Sequence, residues 1–187
     1  MLQSLKIILL AVAAAIVYGI LHDLFTVHLC LEYFTKFHPP ILGGTQNPIL
    51  LALGWGVIAT WWVGLPLGIL LAIASRAVRA HQLTWRDQLQ PIIILLVFMA
   101  IAALVMGQVA RVLTDPANYE TSLARYYVPR EKMLDFNSCL AMHQASYIAG
   151  ALGGLLLVLV TIFRRIGRVP HTTKRSQPPA AGFPPQT

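Results

Sequence analysis

Residues 91–110 read PIIILLVFMAIAALVMGQVA, a run of 20 residues without one charged side chain. As an α-helix rising about 1.5 Å per residue, such a run is about 30 Å long, the thickness of a bilayer's hydrocarbon core. Three further apolar runs, at about 5–22, 48–74 and 139–163, meet the same requirement. A backbone in hydrocarbon must satisfy its own polar groups, so spans are helices or closed barrels. Barrel strands would show alternating segments of about 10 residues, and none is present. The expected fold is an all-α membrane protein, a bundle of four transmembrane helices.

Composition agrees. Of the 187 residues, 57% are hydrophobic and 11% are charged, against roughly 25% charged in a soluble domain. The net charge of +7 raises nucleic acid as a partner. However, the basic residues sit between and after the apolar runs, where membrane proteins carry them for topology. The partner implied is the lipid bilayer, with room for a homo-oligomer or a membrane complex, and no nucleic acid. Arg76, Arg79 and Arg86 lie between runs two and three; Arg164, Arg165, Arg168, Lys174 and Arg175 follow run four. With four spans these segments share a side, so both termini are expected in the cytoplasm. Residues 22–47 and 111–138 then lie on the outer side. Lys6, the apolar stretch and Ala13–Ala15 also resemble a signal peptide. The apolar character runs on through Leu21, so an uncleaved anchor is expected. Residues 1–169 read as one membrane domain, and the Pro-rich stretch 170–187 as a disordered cytoplasmic tail.

Gly64 and Gly68 in run two, and Gly150 and Gly154 in run four, are each four apart, a spacing that lets helix backbones approach closely. Pro66 predicts a kink in run two. Trp55, Trp61 and Trp62 read as packing or interface residues.

The segment 18–40 reads YGILHDLFTVHLCLEYFTKFHPP. It holds three histidines (His22, His28, His38) and two carboxylates (Asp23, Glu32); His143 enters run four from the same side. Ionisable groups at the ends of spans are expensive unless paired or hydrated, and so mark candidate sites. On a continuing helix His28 and Glu32 share one face, and His22 and Thr26 another. Pro39 and Pro40 should end it. Imidazoles with a carboxylate are a ligand set for a transition metal ion, so the candidate ligands are His22, Asp23, His28, Glu32, His38 and His143. A histidine pair on two helices can instead hold haem b. A proton, ion or quinone site is a third reading. The fourth is a polar lock without a cofactor, His22-Asp23 capping the span and pairing with Arg111 or Gln108. The spacing matches no established metal motif: Glu-x-x-His, His-Glu-x-x-His and Cys-x-x-Cys-His are all missing.

Cys30 and Cys139 both fall on the expected outer side, where a disulfide is allowed. Their depths along the helices match poorly, so free thiols are the default and a disulfide the alternative. Phosphate-loop and nucleophile-elbow motifs are missing. The stretch 116–136, with Tyr119, Tyr126 and Tyr127, reads as a solvated or interfacial loop, with a lid over the polar cluster as the alternative.

Tyr18-Gly19-x-x-His22-Asp23-x-x-Thr26 followed by Glu32-Tyr33-Phe34-Thr35-x-x-His38-Pro39 resembles a segment of a group of uncharacterised bacterial multi-pass membrane proteins. Gly54-Trp55-Gly56, Ala59-Thr60-Trp61-Trp62-x-Gly64 and His143-x-x-Ser146-Tyr147 extend the likeness. The resemblance implies a bacterial cytoplasmic membrane location and a shared feature made of His22, Asp23, Glu32, His38 and His143, but no activity. From the sequence, then, the expectation is a membrane protein of unassigned activity whose outer-side His/Asp/Glu cluster is a candidate metal-ion site, with a polar lock between helices one and four as the default account. A haem- or quinone-associated redox subunit and a structural accessory subunit are the alternatives, and enzymatic activity is left open.

Overall fold

The computed structural model describes residues 1–77 and 82–166, which form helices and turns without a strand. The long elements are α1 (Leu2–Leu29), α2 (Pro48–Ile58), α3 (Trp61–Arg76), α4 (Trp85–Leu113) and α5 (Met133–Ile166). α2 and α3 make one span, Pro48–Arg76, so the described residues contain four spans long and apolar enough to cross a membrane. Their outward sides carry exposed apolar residues such as Leu9, Val17, Ile94, Val97, Leu152 and Leu156. That arrangement suits lipid and would be costly in water. Arg79 and the tail 170–187 lie outside the described residues.

The helices run further than the apolar stretches because capping and ion-pairing residues outside those stretches prolong them. Asn47 opens α2, its Oδ1 accepting from the amides of Ile49 (3.0 Å) and Leu50 (3.2 Å), with Pro48 at the first helical position. α4 opens on a Thr84–Asp87 capping box, in which Asp87 accepts from the Thr84 amide at 2.8 Å.

Run two is interrupted at Ala59–Thr60, nearly two turns before Pro66. The Thr60 amide reaches Val57 O (3.3 Å) instead of Gly56 O, and the Thr60 hydroxyl donates to that Gly56 carbonyl. The Gly56 carbonyl therefore keeps a donor across the break, as irregular backbone at membrane depth requires. At this level α1 crosses closely. A Cβ on Gly19 would lie 2.6 Å from Gly56 O, and one on Gly56 would lie 2.6 Å from Ile20 Cα. Only glycine allows that approach. Gly64 and Gly68 continue the seam, their added Cβ atoms falling 2.9 Å from Val12 Cα and 3.1 Å from Ile8 Cα. α4 packs along α5, and α3 meets both α1 and α5.

Buried apolar residues gather at the two ends of the bundle. One cluster joins Val27, Tyr33, Phe34, Leu51, Trp55, Met133 and Phe136; the other joins Ile7, Leu71, Ala72 and Ile92. Beside the second, Gln88 donates to Ser75 Oγ (3.0 Å) and accepts from Thr161 Oγ1 (3.3 Å), all three fully buried. This polar clasp ties α3, α4 and α5 together, and nothing in the sequence reading had marked it. The first cluster lies at the end where α1 finishes and α5 begins, and the polar residues meet beside it.

Candidate metal centre between the first and last helices

The last turns of α1 carry Tyr18, His22, Asp23 and Thr26; the first turns of α5 carry Cys139, His143, Ser146 and Tyr147. The two helices place one nitrogen from each of His22 and His143 and one oxygen of Asp23 within 4.8 Å of one another. The imidazole rings are 4.6 Å apart, edge to face. Asp23 Oδ1 lies 3.2 Å from His143 Nε2, both side chains being 8% exposed. This group can hold a metal ion.

The tautomer of His143 follows from its other nitrogen. Nδ1 is 2.8 Å from the Cys139 carbonyl, which can only accept, so Nδ1 carries the proton. In a neutral ring Nε2 is then a lone pair aimed at a carboxylate oxygen. Two lone pairs at 3.2 Å repel unless a proton or a cation lies between them. Anchoring one ring nitrogen on a backbone carbonyl is also how metal-ligating histidines are oriented. His22 Nε2 is buried and has no hydrogen-bond partner among the protein atoms. Such a nitrogen costs about 1–3 kcal/mol unless something satisfies it. A neighbouring cation would.

The pocket around these groups has a volume of about 30 Å³ and is walled by Tyr18, Gly19, His38, Trp55, Ala59, Thr60 and Tyr147. Thr60 and Ala59 come from the interruption between α2 and α3, so the break in the span lines the site. Tyr18 is held by a 2.8 Å hydrogen bond to Ser146.

His38 arrives by a different route from that expected. α1 does not continue to Pro39; it ends at Leu29, and Cys30 is extended (φ −148°, ψ 95°). The chain then makes a wide π-type turn over Tyr33–Phe37. His38 Nδ1 donates to the Tyr33 carbonyl at 2.8 Å, and the His38 ring lies 4.5 Å from Trp55. Tyr33 stands between the imidazoles, 4.5 Å from His143 and 4.9 Å from His38. Burial holds the His38 imidazole below the usual histidine range, against the Tyr33 carbonyl, which favours the protonated ring. Burial pushes the Tyr33 phenol up. His38 thus borders the pocket without joining the three grouped ligand atoms.

The same break corrects the expectations for His28 and Glu32. They share no helix face. His28 is exposed, its Nδ1 donating to Leu24 O at 2.7 Å. Glu32 forms an ion pair with Lys132. Burial raises its carboxyl, but the Lys132 ammonium outweighs that and holds it below the usual range. Arg111 is engaged by Asp135 at 2.5 Å, so it is not the partner of Asp23. Nor is there a disulfide: Cys30 and Cys139 are buried free thiols. Cys30 Sγ turns to Glu32 Oε2 (3.8 Å) and Cys139 Sγ to Thr26 O (3.9 Å). Burial raises the Cys30 thiol, as expected of an inert thiol.

The stretch 116–132 folds as short 3-10 turns, Pro116–Thr121, Leu123–Tyr126 and Arg130–Lys132. Ala124 and Val128 are buried in the cluster with Phe136, and Tyr119 donates to Val128 O at 2.7 Å. Most of the stretch is exposed, as expected of a solvated loop, while Ala124 and Val128 anchor it on the aromatic cluster. No protein-family model, curated protein or solved structure matches the chain.

Proposed function

We propose that this protein holds a divalent transition metal ion between α1 and α5, with His22, Asp23 and His143 as ligands. The observation that carries the reading is two imidazole nitrogens, from His22 and His143, brought within 4.8 Å of one Asp23 oxygen. His143 is locked with Nε2 toward Asp23, and His22 Nε2 is buried beside them without a partner. Two imidazoles and one carboxylate suit Zn²⁺, and also Fe²⁺ or Mn²⁺ in an open three-ligand site. Tetrahedral zinc with bonds of about 2.0–2.1 Å sets its donors roughly 3.3 Å apart. The Asp23–His143 separation is already 3.2 Å, and a His22 nitrogen lies within 4.8 Å of both. Three protein ligands would leave a coordination position for water or substrate, in a pocket that Tyr18, Thr60 and Tyr147 also line.

The charge distribution supports an orientation with both termini cytoplasmic and the metal at the outer face, and the resemblance of the 18–39 segment supports a bacterial cytoplasmic membrane. Haem b is a poorer occupant. Its two axial histidines stand on opposite faces of the macrocycle, whereas these rings meet edge to face at 4.6 Å beside a space of about 30 Å³.

A second reading has one observation in its favour. The direct 3.2 Å contact of His143 with Asp23 also suits an imidazolium–carboxylate pair that locks α1 to α5 with no metal. Elemental analysis and an absorption spectrum of detergent-purified protein test both, wild type beside His22→Ala and His143→Ala. About one metal per chain in the wild type and loss in both variants supports the metal centre. A metal-free, colourless wild type in which only His143→Ala loses stability supports the lock.

A further inference from the structure

Between the two apolar clusters the bundle is not filled. A cavity of about 110 Å³ lies where α1, α3, α4 and α5 meet. It exists because α1 turns the small residues Ala11, Ala14 and Ala15 toward it, opposite Gly150 and Gly154 of α5. Its wall is almost wholly apolar. Two of the polar groups at its edge are already engaged, Tyr18 with Ser146 at 2.8 Å and Thr60 with Gly56 O. A bound water needs two to four polar partners, and such a wall offers hydrocarbon contacts instead. Tyr18, Thr60 and Tyr147 line both this cavity and the pocket of His22, Asp23 and His143. The two spaces are consecutive along the bundle, one apolar and one bearing ligands.

We propose that the cavity takes an acyl chain of a bilayer phospholipid, with the ester end of that chain at the His22–Asp23–His143 group. The inference deepens the metal reading, since the ester carbonyl would occupy the coordination position that three protein ligands leave open. An apolar cavity of about 150 Å³ accepts benzene, six carbons. By that scale this one encloses about four or five carbons, and the rest of the chain extends toward the surrounding lipid. The occupant is taken from the bilayer because the cavity lies at membrane depth, within helices whose outward faces are exposed and apolar. The orientation is set by chemistry: the only ligand-bearing end of the combined space is the histidine end.

The test is photo-crosslinking in nanodiscs of bilayer phospholipid carrying trace lipid with a diazirine in the acyl chain. The diazirine is placed either next to the ester or about four or five carbons along, still within the cavity, and crosslinked peptides are read by mass spectrometry. The near-ester probe should label around Tyr18 and Tyr147, and the deeper probe around Leu96 and Leu157. Ala14→Leu and Leu96→Trp, which fill the cavity from two helices, should each reduce this labelling at least fivefold, while lipid-facing Leu155→Phe should not. Folding of each variant is checked by its melting temperature. Labelling confined to outward positions, unchanged in the two filled variants, or with the probe order reversed overturns the proposal. Metal content is measured on the same samples. Metal retained without cavity labelling removes the acyl site alone. Ordered labelling in a metal-free protein keeps the acyl site and removes the metal reading.

Discussion

Replacing His22 by leucine separates the two accounts of the site more sharply than any other change. In the lock, the working contact is His143 with Asp23, and His22 contributes only ring packing, 5.7 Å from Tyr18 and 4.6 Å from His143. Its buried Nε2 is a liability of about 1–3 kcal/mol, so leucine at 22 should leave the melting temperature unchanged or raise it. In the metal centre, the same change removes one of three protein ligands. Structural zinc sites bind with about 10–16 kcal/mol across four ligands. That is about 2.5–4 kcal/mol per ligand, or a weakening of roughly a hundred- to a thousand-fold at 1.4 kcal/mol per decade. The assay is zinc competition against a chelating indicator in detergent, with thermal unfolding measured on the same apo and zinc-loaded samples. Wild type should gain stability with zinc and His22→Leu should lose most of that gain. Equal zinc affinity in the two proteins would refute the ligand role of His22. A large loss of apo stability in His22→Leu would refute the view that its nitrogen has no protein partner.

Further outcomes follow from the rest of the molecule. Gln88→Leu should lower stability by about 1–3 kcal/mol, because Ser75 and Thr161 lose their shared partner inside the bundle; thermal melts in detergent measure it. Gly19→Val should be worse than Gly19→Ala, both pressing on Gly56 O and separating α1 from α2, with about 1–3 kcal/mol or more lost to overpacking. His38 titrates below its ordinary value, so its neutral form is favoured in the fold, among Tyr33, His143 and Asp23. Its contribution is present above about pH 6.5, the unfolded value, and is lost as pH falls through the lower folded value. His38→Asn should flatten that acid limb in a pH series of melting temperatures.

The fold was legible because hydrocarbon imposes a length and a composition that no other environment requires, as residues 91–110 show. The site was legible in part. His22, Asp23 and His143 could be grouped from their depths at the ends of two spans. His28 and Glu32 could not be excluded, because helical periodicity carries on in the sequence through Cys30 while the backbone does not. Nothing local announces that extended residue. It is settled by Tyr33 and Phe34 turning inward to pack against Phe136 and His143, contacts from more than 100 residues away in the chain. Gln88 was invisible for a similar reason. One glutamine at the start of a span reads as an interfacial residue until Ser75 and Thr161 meet it.

The contact between Asp23 and His143 also has a consequence for the order of synthesis. The two residues are 120 positions apart, and a ribosome adds about 5–20 residues per second. For roughly 6–24 s after Asp23 has been made, its partner does not yet exist. During that interval the nascent first helix holds its carboxyl group near one end of a hydrophobic segment with no imidazole to meet it. The cost of an uncompensated acid in a span, up to about 2.5–3.5 kcal/mol at the centre and less toward an end, falls on the insertion machinery. The fourth span is the one that relieves it, so closure of the site waits on the synthesis of α5.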